Sequence, residues 1–195
     1  MHFEPGSLYH IYNRGNNQQF IYHNRKNYLY FLNKVHQYIT PRCSILAWCL
    51  MPNHFHFLVH TDERSCTPVP KILIPSQHLT EGIRLLLSSY SKGINNQQQT
   101  TGNVFQQKTK AKCINEGENQ YDIIAFHYIH QNPKRAGLVI KMEEYEFSSF
   151  PDYLKMRNGA LCNKKLAYKL LELNDATLYT DSYQMLEGNI IDKIF

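Results

Sequence analysis

The sequence predicts an α+β protein, with an antiparallel sheet, helices packed mainly on one face and a short helical appendage at the C-terminal end. Three observations predict it. Residues 54–60 alternate strictly, His54, His56, Leu58 and His60 at one parity and Phe55, Phe57 and Val59 at the other, which is the period of a strand with one face in a core. Residues 26–39 carry apolar side chains at helical spacing, Tyr28, Phe31, Leu32, Val35 and Ile39. The order of such segments is strand, helix, two strands, helix, strand, helix.

Taken in order, 7–14 reads as a first strand, closed by Gly15-Asn16-Asn17. Pro41 ends the helix over 26–39. The run Ser44–Leu50 and the alternating segment after Pro52-Asn53 make a hairpin. Residues 61–78, with Pro68, Pro70 and Pro75, read as a long loop. A second helix is expected after Thr80 as N-cap, with Ile83, Leu86, Leu87 and Tyr90 on its apolar face, and 95–102 as a polar loop. Val104 to Ile114 reads as a strand with Lys108, Lys110 and Lys112 on one face. A third helix is expected from Glu118 to Gln131, with Tyr121, Ile124, Ala125 and Tyr128 on one side and Asn132-Pro133 ending it. A turn and an extended stretch follow over 133–139, then short helical patterns such as Leu166–Leu173.

Charge is unevenly distributed. Residues 1–142 hold 15 Lys and Arg against 7 Asp and Glu, a balance of +8, whereas 143–195 hold 6 against 9, a balance of −3. A basic body suits a polyanionic partner, although a soluble basic surface has the same composition. No apolar run approaches the ~20 residues that span a bilayer. Met1–Gly6 shows no basic region followed by an apolar stretch, so the expected location is cytoplasmic, with no membrane partner. Five cysteines without a Cys-x-x-Cys pair fit reduced thiols and argue against a zinc ribbon or a disulfide framework.

Two imidazoles at i and i+2 on a rigid strand, His54 and His56, can hold one metal ion in a fixed orientation. The same spacing also occurs as an ordinary exposed or cross-strand polar pair. Tyr128 on an apolar helix face reads on spacing alone as a packed tyrosine. Context changes both readings. The ordered pieces Tyr9-His10-Ile11-Tyr12-Asn13-Arg14, Ala47–His56 with Met51-Pro52-Asn53-His54-Phe55-His56, Gly102–Lys108, Tyr128–Val139 with Asn132-Pro133-Lys134-Arg135-Ala136-Gly137, and Phe147–Phe150 resemble the REP-associated tyrosine transposases. These are single-tyrosine members of the His-hydrophobe-His class of single-strand DNA transposases. The resemblance covers roughly residues 7–154. Phe147 stands where such proteins commonly carry Trp, and the stretch 65–77 is longer than usual.

The resemblance implies a ferredoxin-like catalytic domain over 1–154 with a helical extension over 155–195. It implies a divalent ion, Mg²⁺ or Mn²⁺, and cleavage of single-stranded DNA beside a hairpin, the 5′ end being kept on a tyrosine. In that reading His54 and His56 are catalytic as metal ligands and Tyr128 is the nucleophile. Asn132, one turn beyond Tyr128, is the candidate third ligand, with Gln131 as its competitor because Pro133 disturbs the helix there. Arg14, Lys108, Lys110, Lys134 and Arg135 are candidates for phosphate contacts. His60 is read as structural or DNA-facing. The expected partner is hairpin or single-stranded DNA, bound by a monomer or homodimer. Competing readings are a hairpin- or single-strand-DNA-binding protein without cleavage, a replication-initiator or relaxase-type nickase, and an unrelated zinc protein.

Overall fold

A computed structural model describes residues 1–70, 75–114 and 120–184. Strands β1 (Leu8–Arg14), β2 (Ser44–Met51), β3 (His54–His60) and β4 (Lys110–Cys113) form one antiparallel sheet in the order β2-β3-β1-β4. That is the ferredoxin-like order, in which each of two crossovers skips one strand. The crossovers carry α1 (Arg25–Tyr38) and α3 (His78–Gln98), separated in sequence by the single-turn α2 (Glu63–Cys66).

Cross-strand register divides the side chains between two faces. Tyr12 lies opposite His56 and Arg14 opposite His54, while Ile11 lies opposite Phe57 and Asn13 opposite Phe55. The Phe face meets the crossover helices: the Phe31 ring of α1 sits 5.3 Å from Phe55, 6.4 Å from Phe57 and 5.0 Å from Tyr90 of α3. Complete burial of Phe31 stabilises the fold by about 1.5–3 kcal/mol relative to exposure. The His face is crossed by a further helix, α4 (Tyr121–Arg135), which packs on β2 and β3. Thus the two long crossovers share one face, and the helix carrying Tyr128 crosses the other.

Several boundaries differ from expectation, each for a physical reason. Helix α3 begins at His78, not after Thr80. The Gln77 side chain at its N-cap position bonds the backbone N–H and C=O of Phe3 at 2.7 and 2.8 Å instead of capping the helix. The helix also runs through the expected polar loop as far as Gln98, because Ile94 is buried and the Asn27 amide of α1 donates to Gln97 Oε1 at 2.7 Å. Strand β4 is confined to Lys110–Cys113. Upstream of it, Val104 and Phe105 are both buried, and two consecutive core side chains break strand alternation.

Helix α4 passes through Pro133 and stops at Arg135. Pro133 stands in the last turn, so its missing N–H removes only the one helix bond to the Ile129 carbonyl, and only Lys134 and Arg135 follow it in the helix. Gly137, at φ 68°, then supplies the left-handed turn that closes the helix, and its N–H bonds the Lys134 carbonyl at 3.0 Å. The expected helical start at Glu118 lies outside the described residues. The packed face of α4 is also rotated from the expected one: Ala125, Phe126, Ile129 and His130 are fully buried, while Tyr121, Ile124 and Tyr128 lie half-buried at the rim.

Residues 147–149 lengthen the outer edge of β2, Leu50 N–H bonding Phe147 O at 2.9 Å and Ser149 N–H bonding Trp48 O at 2.9 Å. The short helices α5 (Phe150–Tyr153), α6 (Lys164–Leu170) and α7 (Leu178–Tyr183) follow. Ala167, Leu171 and Leu178 join the main core, so the acidic C-terminal part is packed on the body as far as it is described.

Candidate active site between the histidine strand and helix α4

Strand parity places His54 and His56 on the face beneath α4. The two rings stand 4.9 Å apart and perpendicular. Tyr128 meets His56 and His10 edge-on, its ring 5.8 Å from that of His56 and 6.4 Å from that of His10. His10, on β1, bonds His56 through Nε2···Nδ1 at 2.8 Å and stacks on Tyr12 with ring centres 4.7 Å apart. His10 and Tyr12 were not singled out from the sequence. Their signal was available: they share the parity of Arg14 in a segment already read as a strand.

The tautomers are constrained by these partners. His54 Nδ1 lies 2.6 Å from the side-chain oxygen of Asn53, so Nδ1 carries the hydrogen and Nε2 keeps its lone pair. His56 Nε2 is buried and has no hydrogen-bond partner among the described residues. Burial holds His54 neutral, its pKa lowered to about 4 with help from the Arg14 charge. Burial also pushes His56 well below the usual histidine range, aided by His10, His54 and Arg14. Neutral imidazoles with one committed and one open nitrogen are suited to a divalent cation. Among the described residues no trio of His, Cys, Asp or Glu could close such a site. An amide is the further ligand that the sequence reading offers beside the two histidines.

Asn132 and Gln131, the two candidates for that amide, point to different places. Gln131 is fully buried, and its Nε2 donates to the carbonyls of Ser182 and Gln184 at 2.9 and 2.8 Å. Asn132 stays one turn from Tyr128, its Nδ2 donating to the Tyr128 carbonyl at 2.8 Å. Only Asn132 shares the Tyr128 side of the helix. Burial raises the Tyr128 pKa above its ordinary value, opposed by the Arg135 charge and by a hydrogen bond with Asn132. The resting side chain is therefore a phenol.

The expected phosphate contacts separate similarly. Arg14 lies opposite His54 in the sheet, and Lys110 lies opposite Tyr12. Lys108 is exposed just before β4. Arg135 acts on Tyr128, whereas Lys134 turns away, donating to the Ile140 carbonyl at 3.0 Å and lying 5.3 Å over the Tyr183 ring. His60 sits at the far end of β3 opposite Leu8, away from the other histidines.

Fold and site together define a ferredoxin-like α+β domain with a two-histidine strand facing a tyrosine helix. No family model matches the chain, and no curated protein matches its sequence. Among solved structures it is similar to a REP-associated tyrosine transposase bound to a REP hairpin, with a TM-score of 0.60 over 80% of this chain and 83% of that one. Sequence identity is 14%, so the likeness is one of fold. No helix among the described residues is long and apolar enough to cross a membrane.

Proposed function

We propose that the protein is a metal-dependent single-strand DNA endonuclease and strand transferase. It cleaves next to hairpin DNA through a 5′-phosphotyrosine intermediate, as a transposase does. The observation that carries this reading is the edge-on placement of the Tyr128 ring 5.8 Å from that of His56, with Asn132 one turn on and bonded to the Tyr128 carbonyl. The fold shared with a hairpin-bound transposase supports it.

His54 and His56 would hold a divalent ion, Mg²⁺ or Mn²⁺, with Asn132 as third ligand; when bound, the ion polarises the scissile phosphate and fixes it in line. Imidazole favours Mn²⁺ over Mg²⁺ in affinity, and cellular abundance favours Mg²⁺. The chain's own residues do the rest. Tyr128 Oη forms a bond to phosphorus while the bond from phosphorus to the 3′ oxygen breaks. The phenol gives up one proton and the leaving 3′ oxygen takes one up, so the step is proton-neutral overall. Arg135 and Asn132 favour the phenolate that burial disfavours. Arg14 and Lys110 lie on the same face to hold the flanking phosphates. The covalent link conserves the broken bond for rejoining. Incubation with Mn²⁺ and labelled single-stranded DNA from the flanks of its own gene, followed by a denaturing gel, should reveal a protein–DNA adduct. Absence of an adduct with every flanking strand overturns the reading.

A further inference from the structure

A groove of about 1200 Å³ runs between the outer side of α3 and residues 100–110. Its volume exceeds the ~300–1,000 Å³ of a small-molecule pocket. Leu87 and Phe105 contribute an apolar floor. The rim carries Arg84, Lys92, Lys108 and Lys110. Glu81 is the one acid lining it among the described residues, and it is paired with Arg84 at 2.6 Å. Lys92, Lys108 and Lys110 are exposed and make none of the ion pairs found among the described residues. The α3 wall is a helical stripe, Arg84, Ser88, Ser91, Lys92 and Asn95, away from the stripe Leu86, Tyr90 and Ile94 that enters the core. Lys110 also lies opposite Tyr12, whose ring is 5.8 Å from that of His56. Lys110, at the β4 edge of the sheet, therefore links the groove to the face that carries the candidate active site.

We propose that this groove holds an unpaired stretch of the same DNA strand whose phosphate enters the tyrosine–histidine site. An apolar floor under a cationic rim suits splayed bases with their phosphates along the edge, the arrangement by which proteins take single strands. A duplex would present only phosphates to such a floor and leave it uncovered. The inference rests on the single-strand DNA reading of the site. It adds Lys92, Ser88 and the α3 stripe as binding elements that no motif in the sequence indicated.

The test compares two unpaired strands in chelator without added metal: a short one covering only the nucleotides at the cleavage position, and the same strand extended on both sides. Ser88→Glu combined with Lys92→Glu should lower affinity for the extended strand by about tenfold or more and barely change that for the short one. Lys92→Gln alone should make the salt dependence for the extended strand shallower by about 0.7 in slope. A second readout uses Ser88→Trp: Trp48, the only native tryptophan, is buried, so the added indole reports the groove. Its emission should change with the extended strand and not with the short one. Equal losses for both strands, or unchanged affinity with silent emission, overturn the groove. Failure of the catalytic reading looks different: wild-type protein would form no adduct, or would bind random duplex as well as single strands.

Discussion

Removing the Tyr128 hydroxyl separates a nucleophile from a packing residue. Tyr128→Phe keeps the ring against His10 and His56 and loses about 1 kcal/mol of hydrogen bonding, a shift of ~2–4 °C in Tm. It should fold, bind hairpin DNA and form no adduct; a trapped phosphotyrosine mapped to Tyr121 or any other tyrosine would refute the assignment. His54→Ala or His56→Ala should abolish cleavage while hairpin binding persists, since affinity comes mainly from cations on phosphates. Full cleavage by the double variant in chelated buffer would remove the metal from the mechanism. Asn132→Ala should slow adduct formation and demand more Mn²⁺ without abolishing the reaction. His10 adds a subtler case. His10→Leu leaves buried His56 Nδ1 without its 2.8 Å partner and unfixes the ring, so Mn²⁺ affinity, read by titration calorimetry, should fall ~10–100-fold.

At the scale of the element, α4 is held from two sides. Its inner face meets β2 and β3, with His130 Nε2 bonded to Ser149 Oγ at 2.7 Å. Its outer side is tied to α7 by His127 Nδ1 and Ser182 Oγ at 3.0 Å and by the Gln131 amide. Burial lowers His127 to about 4, although Asp181 pulls it upward, and holds His130 well below its ordinary value. Between pH 4 and 6.5 the unfolded chain binds more protons at these histidines than the folded one. Their contribution is therefore complete above pH 6.5 and is lost as pH falls through 6.5 toward 4. Urea melts at pH 5 should show a loss relative to pH 7, on the order of 1–2 kcal/mol from His127 alone. His127→Gln should flatten part of that slope, and an unchanged pH profile in the variant would show that His127 does not titrate in this way.

For the whole molecule, charge and topology act together. The basic sheet edge and groove rim, set against an acidic C-terminal part, predict hairpin affinity that falls steeply with salt. Stem-loops and single strands should compete better than plain duplex, as an electrophoretic mobility series would show. Equal competition by random duplex would contradict single-strand recognition.

The alternation after Pro52 was enough by itself to put His54 and His56 on one face and Phe55 and Phe57 in the core, because a strand leaves no other choice. Strand and helix order likewise gave the α+β class, and the helical period put Tyr128 and Asn132 on one side of a helix. Tertiary structure decided what local period cannot. It set which sheet face α4 crosses, and so whether Tyr128 meets the histidines. It brought His10 to His56 across 46 residues of sequence, a contact fixed only by strand register. The different settings of Gln131 and Asn132 come from the C-terminal part, some 50 residues on, where the carbonyls of Ser182 and Gln184 take the Gln131 amide N–H groups. Pro133 reads locally as a helix stop; packing of α4 on β2 and a closing turn at Gly137 outweigh one missing hydrogen bond. Local sequence fixes periodicity and chemistry, whereas long-range packing free energy fixes which faces meet.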